Sequence, residues 1–84
     1  MNLQSIIEMD VHGMSVDEAI AAIEKQVKNA PPGVYRVVVI HGFNRGNRIQ
    51  QAIYRELGNG INPKVLRITG GDNPGKTELI LREY

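Results

Sequence analysis

Apolar positions along the chain switch between a period of two and a period near four, and these switches divide it into elements. From Ile6 to His12 the residues alternate, with Ile7, Met9 and Val11 apolar and Glu8, Asp10 and His12 polar. That period predicts a strand with one buried face and places Asp10 and His12 on the same side. Gly13 breaks the strand. Ser15 followed by Glu18 is a capping box and opens a helix over Val16 to about Asn29, with Ala19, Ile20, Ile23 and Val27 as its apolar stripe. Asp17 and Glu18 near the start, and Lys25 and Lys28 near the end, complement the helix dipole; Pro31-Pro32-Gly33 stops it. Tyr35 to Ile40 ends in four consecutive β-branched residues, the mark of a strand buried on both faces. A loop from His41 to Gly46 leads into a second helix, from Gly46 or Asn47 to Leu57, striped by Ile49, Ala52, Ile53 and Leu57 and ended by Gly58-Asn59-Gly60. Val65 to Thr69 reads as a third strand. The Gly70 to Gly75 loop then turns the chain into a fourth, Thr77 to Leu81, antiparallel to the third. Met9 and Met14 read as core filler.

The order strand, helix, strand, helix, strand, strand predicts an α/β fold, a two-layer α+β sandwich. Two crossovers lay both helices on one face of a mixed four-stranded sheet and leave the other face partly open. With 84 residues, the chain reads as a single domain over 1–84 whose elements must all contribute to one small core. The absence of cysteine excludes disulfides and thiolate metal sites. No apolar run approaches the roughly 20 residues of a membrane helix, and the first residues do not resemble a signal peptide, so a cytoplasmic location and no membrane partner are expected. The net charge of +1 hides an asymmetry: residues 1–33 carry five acids against two lysines, whereas residues 34–84 carry eight lysines and arginines against four acids. A basic second half suits a polyanion.

The candidate chemistry gathers at two places. Val37 to Arg48 is a strand, a glycine-containing loop and a helix start, a junction that aims backbone N–H groups and a helix dipole at an anion such as phosphate. Asp10 and His12 stand near the carboxyl end of the first strand. If the first two strands are parallel neighbours, both places lie on one edge of the sheet, where α/β proteins usually hold ligands. A carboxylate and an imidazole beside a phosphate-binding loop are the groups a phosphodiesterase needs: Asp10 to bind a metal or orient a base, His12 to move protons, and the loop amides with Arg45 to neutralise charge. Each residue also has a plainer role. His12 can cap the turn at Gly13, Asp10 can be a solvated polar residue, and His41 fits equally a buried, hydrogen-bonded histidine and a ligand contact.

Four segments resemble the signatures of the Smr, or small MutS-related, domain family. Met9-Asp10-Val11-His12-Gly13 is similar to its Leu-Asp-x-His-Gly motif, and His41-Gly42-Phe43-Asn44-Arg45-Gly46 to its His-Gly-x-Gly-x-Gly loop. Ser15 to Ala19 resembles the family's first helix start, and Asn73-Pro74-Gly75-Lys76-Thr77 its Asn-x-Gly-x-Thr turn. The resemblance implies a fold like the C-terminal domain of bacterial translation initiation factor three, with nucleic acid, DNA or RNA, as partner. It implies endonuclease activity, DNA-nicking or RNA-cleaving, with Asp10 and His12 catalytic; a divalent ion (Mg or Mn) held at Asp10 is expected beside them. The glycine loop carries over as His41, Gly42 and Gly46; with Phe43, Asn44, Arg45, Arg48 and Lys76 it is expected to hold the nucleic-acid backbone. Two positions depart from the family loop: Asn44 replaces its middle glycine, and Phe43 stands where lysine is common. Asn tolerates left-handed backbone, Arg45 can replace the lost charge, and Phe43 can stack on a base. A non-catalytic nucleic-acid-binding module and, further off, a protein-interaction adaptor are the alternatives.

Overall fold

A computed structural model describes residues 6–42, 47–58, 60–70 and 74–82. The elements are β1 (Ile6–Asp10), α1 (Val16–Asn29), β2 (Arg36–Ile40), α2 (Arg48–Leu57), β3 (Arg67–Thr69) and β4 (Lys76–Ile80). The predicted order is therefore present. The strands are shorter than expected at several ends: β1 stops at Asp10, and β3 begins at Arg67 rather than Val65. Val65 is nevertheless buried, because the approach to β3 packs into the core before it joins the ladder.

The sheet order is β1-β2-β4-β3. β1 and β2 pair in parallel with Asp10 beside Ile40, and β4 runs antiparallel to both β2 and β3. The last strand thus inserts between the second and third, so the chain passing through α2 leaves one strand's width for β4 to fill. Burial follows from that position: β4 has ladder partners on both sides, and Thr77, Leu79 and Ile80 are all buried.

Both helices cover the same sheet face. Val11, Val37, Val39 and Leu79 from the sheet side meet Ala19, Ile23 and Val27 of α1 and Ile53 and Leu57 of α2 in one core. These are the stripe positions read from the helical periodicity. Ser15 caps α1 reciprocally: its hydroxyl accepts from the Glu18 N–H at 3.1 Å, and the Glu18 carboxylate accepts from the Ser15 N–H at 3.1 Å. α2 ends at Gly58, where a Cβ would stand 2.6 Å from the Tyr54 carbonyl oxygen, so this exit admits only glycine without a shift of backbone. Met14 departs from expectation. It sits 40% exposed in the turn closed by its N–H on the Val11 carbonyl, because that turn projects from the end of the sheet instead of folding under the helices.

On the helix-free face Val38 stays buried on the central strand β2, flanked in register by Glu8 and Glu78. Arg36 reaches diagonally to the Glu78 carboxylate at 3.2 Å on this face. Ile53→Ala, which empties a fully buried position, should cost about 2–5 kcal/mol of stability, against about 1 kcal/mol for Ser15→Ala at the helix cap; chemical denaturation of both variants checks the ratio.

Candidate nucleic-acid site

β1 and β2 end side by side, so the residues that follow them are neighbours. The Val11 N–H donates to the Ile40 carbonyl at 2.9 Å and extends the pairing one residue past β1. His12 then leaves the sheet, and its backbone N–H donates to Asp10 Oδ1 at 3.0 Å. Its ring folds back on the same oxygen, with Nδ1 2.6 Å from Asp10 Oδ1. A carboxylate oxygen can only accept, so Nδ1 carries a proton and the ring is held with Nε2 on its far side. The pair is open to solvent, the His12 side chain 71% and the Asp10 side chain 53% exposed. Donation from the His12 ring and then from its backbone N–H holds the Asp10 carboxyl below the ordinary aspartate range.

The second strand delivers His41 and Gly42 to the same corner. Both of their N–H groups donate to the Gly75 carbonyl at 3.0 Å, which ties the start of the loop to the turn before β4. Gly42 has φ +74°, a left-handed conformation in which other residues are strained. A Cβ placed on it would lie 3.7 Å from the His12 Cβ, so the Gly42 backbone forms the wall beside the Asp10–His12 pair.

His41 itself is turned inward. It is only 8% exposed; Nδ1 lies 2.7 Å from the Gly42 carbonyl oxygen and Nε2 2.7 Å from Thr77 Oγ1. Of the two roles open to it in the sequence, the buried, hydrogen-bonded one describes the side chain. Phe43, Asn44, Arg45 and Gly46 lie outside the described residues. Arg48 is exposed at the first position of α2, next to the N-cap Asn47, which makes no side-chain cap bond. No acidic residue stands in that first turn. The positive end of α2 therefore carries no carboxylate of its own, an arrangement that favours a bound anion.

Lys76 opens β4 at the same edge. In register Asp10 pairs with Ile40 and Ile40 with Lys76, so the carboxylate and the lysine flank Ile40 on the helix-free face. Two strand spacings separate them, roughly 10 Å. Thr77, in the sequence only the last residue of the Asn-x-Gly-x-Thr match, reaches this corner through His41. The signal for it is a hydroxyl at a position whose strand alternation points to the core, opposite Val39.

The ion expected at Asp10 is not caged by a cluster of described side chains. Among the described residues no group of three or more His, Cys, Asp or Glu side chains could hold an ion, and Asp10 Oδ1 already accepts twice from His12. An ion held at Asp10 would therefore complete its shell with water and phosphate oxygens, as magnesium commonly does. Nor is any described helix long and apolar enough to cross a membrane.

The arrangement defines a mixed α/β sandwich with an open Asp–His pair at the carboxyl edge of two parallel strands, beside a glycine turn and a helix start. The Smr domain family model matches residues 9–76, and the chain belongs to that family. Smr domains bind nucleic acids, and some members have nuclease activity. The fold is also that of the crystal structure of the Smr domain of Thermus thermophilus MutS2. The two agree with a TM-score of 0.77 at 24% identity, covering 92% of this chain and 99% of that one. No curated protein sequence gives a significant match.

The Asp10–His12 contact has a titration signature. Carbon NMR of the Asp10 carboxyl should place its midpoint below that of an ordinary aspartate, and His12→Ala should raise it by removing the first cause of the shift. Since the shift is downward, the stabilisation it contributes is complete above the ordinary aspartate range and is lost as pH falls through the lowered value. An unmoved midpoint in His12→Ala would mean that the pair does not form in solution.

Proposed function

We propose that this Smr domain binds nucleic acid and cleaves its phosphodiester bonds as an endonuclease, with RNA as the substrate its side chains suit best. The observation that carries the reading is the 2.6 Å contact of His12 Nδ1 with Asp10 Oδ1, which orients the imidazole and leaves Nε2 available as a proton acceptor. Asp10 fixes the ring and stabilises the imidazolium that forms when Nε2 takes a proton, the role a carboxylate plays behind any histidine base. The nucleophile comes from the substrate. RNA has a 2′-hydroxyl next to each phosphorus, an intramolecular arrangement that removes much of the entropic barrier to attack. DNA lacks that hydroxyl and would require the pair to activate an external water.

In this reading His12 removes the 2′-hydroxyl proton, the oxygen attacks phosphorus, and the 5′ oxygen leaves with a proton from solvent. A 2′,3′-cyclic phosphate and a 5′-hydroxyl are the products. The uncapped N-terminus of α2, Arg48 and Lys76 supply the positive surroundings that hold the backbone. Phe43 and Arg45 are proposed as loop contacts, for stacking and for charge.

Structured RNA, supercoiled plasmid and an RNA with single 2′-deoxy substitutions, each with and without chelator, test this directly. Cleavage of RNA should persist in chelator and stop at the deoxy positions, and His12→Ala should lower the rate about 10²–10⁴-fold. Loss of all cleavage in chelator with recovery in Mg or Mn would make Asp10 a metal ligand instead. Salt-sensitive binding without any product would leave the non-catalytic module, and no affinity for either nucleic acid would leave the adaptor.

A further inference from the structure

The hydrogen bonds behind Gly42 run in one direction, and the central one is buried. Gln50 Nε2, in the first turn of α2, donates to Thr77 Oγ1 at 3.4 Å, the longest link of the set. Thr77 Oγ1 lies 2.7 Å from His41 Nε2, and His41 Nδ1 lies 2.7 Å from the Gly42 carbonyl oxygen. A carbonyl accepts only, so Nδ1 holds the ring proton. The Thr77 hydroxyl, which accepts from Gln50, completes the run by donating to Nε2. Thr77 is wholly buried, on the core face of β4 between α2 and the end of β2. There a valine would pack as well and a hydroxyl is otherwise a cost.

We propose that Thr77 is a positioning residue of the nucleic-acid site: its hydroxyl selects the ring form of His41 that grips the Gly42 carbonyl and so sets the loop wall beside His12. The inference rests on the function proposed above for the site, but its geometry does not. Gly42 is the residue whose Cβ would meet His12 at 3.7 Å, so a rotation of its peptide alters the space beside the Asp10–His12 pair. The Gly75 carbonyl holds the Gly42 N–H from one side, and the His41 ring holds the Gly42 carbonyl from the other. Thr77 controls the second of these holds. It touches neither substrate nor the reacting atoms, which separates it from the catalytic pair.

The test uses the full chain as Thr77→Val, close in shape but without a hydroxyl, and Thr77→Ser, which keeps it. Nitrogen-15 NMR of the imidazoles reads the proton position on His41 without reference to any activity. The proposal expects Thr77→Val to remain folded, to lose the single Nδ1–H form of His41 and to shift the Gly42 and His12 resonances. It also expects RNA cleavage to fall about ten- to hundredfold in kcat, with Thr77→Ser restoring both signals. An unchanged His41 ring form in Thr77→Val would overturn it. So would a cleavage loss no larger than the unfolded fraction, or a failure of Thr77→Ser to restore the His41 signal. Should Thr77→Val not fold, Gln50→Leu frees the same hydroxyl from its donor and is expected to disturb the His41 signals in the same direction, and unchanged signals there would count against the proposal. If the wild-type protein cleaves no nucleic acid, the proposed function fails while the NMR comparison still decides the role of Thr77 in holding the loop.

Discussion

Two strands that run in parallel and stop at the same level create the problem that this structure solves. β1 and β2 both finish at the carboxyl edge, and the chain must leave each of them in a different direction, one toward α1 and the other toward α2. The Gly75 carbonyl, accepting from the His41 and Gly42 N–H groups, holds the second departure against the antiparallel strand β4. The His41 ring, held by Thr77, adds a second tie on the Gly42 carbonyl. With both, Gly42 reaches a left-handed conformation next to His12, and the two departures become one surface. The apolar sandwich below supplies rigidity; the hydrogen bonds at the edge convert that rigidity into a defined position for the Asp10–His12 pair.

Much of this was legible in local spacing. Alternation along the first strand put Asp10 and His12 on one side, and the structure has them in direct contact by another route: β1 ends at Asp10, whose carboxylate accepts the His12 N–H in a turn that folds the ring back onto it. The Ser15–Glu18 cap and the stripes of both helices follow from equally short-range rules, and all three are present. Strand order was not legible in the same way. Placing β4 between β2 and β3 depends on pairing Arg36 with Ile80 and Arg67 with Ile80, contacts between distant segments that no local period encodes. Thr77 stands in the family-like turn and alternation turns it to the core, but its partner His41 lies 36 residues away, and no local pattern says that the hydroxyl meets an imidazole. His41 was ambiguous in the sequence because a histidine beside a glycine serves a core or a ligand equally well, and only the burial of its ring separates the two.

Charge decides from which side a polyanion can reach the pair. α1 begins directly after the His12 turn, and its first turn presents Asp17 and Glu18, which stabilise that helix through its dipole but repel phosphate. α2 begins on the other side of the same edge with no acid in its first turn and with Arg48 exposed. The two helix starts are thus electrically opposite, one neutralised by its own carboxylates and the other left positive. In the proposed function, a phosphate backbone would meet least repulsion where it crosses the edge on the side of α2 and Lys76, with the Asp10–His12 pair at the far margin of its path. That placement suits a base that must reach one sugar hydroxyl without binding the phosphates itself. The carboxylate of Asp10, already occupied twice by His12, is turned to the imidazole and presents less of its charge to the strand than a free aspartate at the same position would. The asymmetry between the acidic and basic halves of the chain thereby gains a mechanical consequence under the proposed function: it would set the direction of approach, while the hydrogen bonds around Gly42 would set the distance.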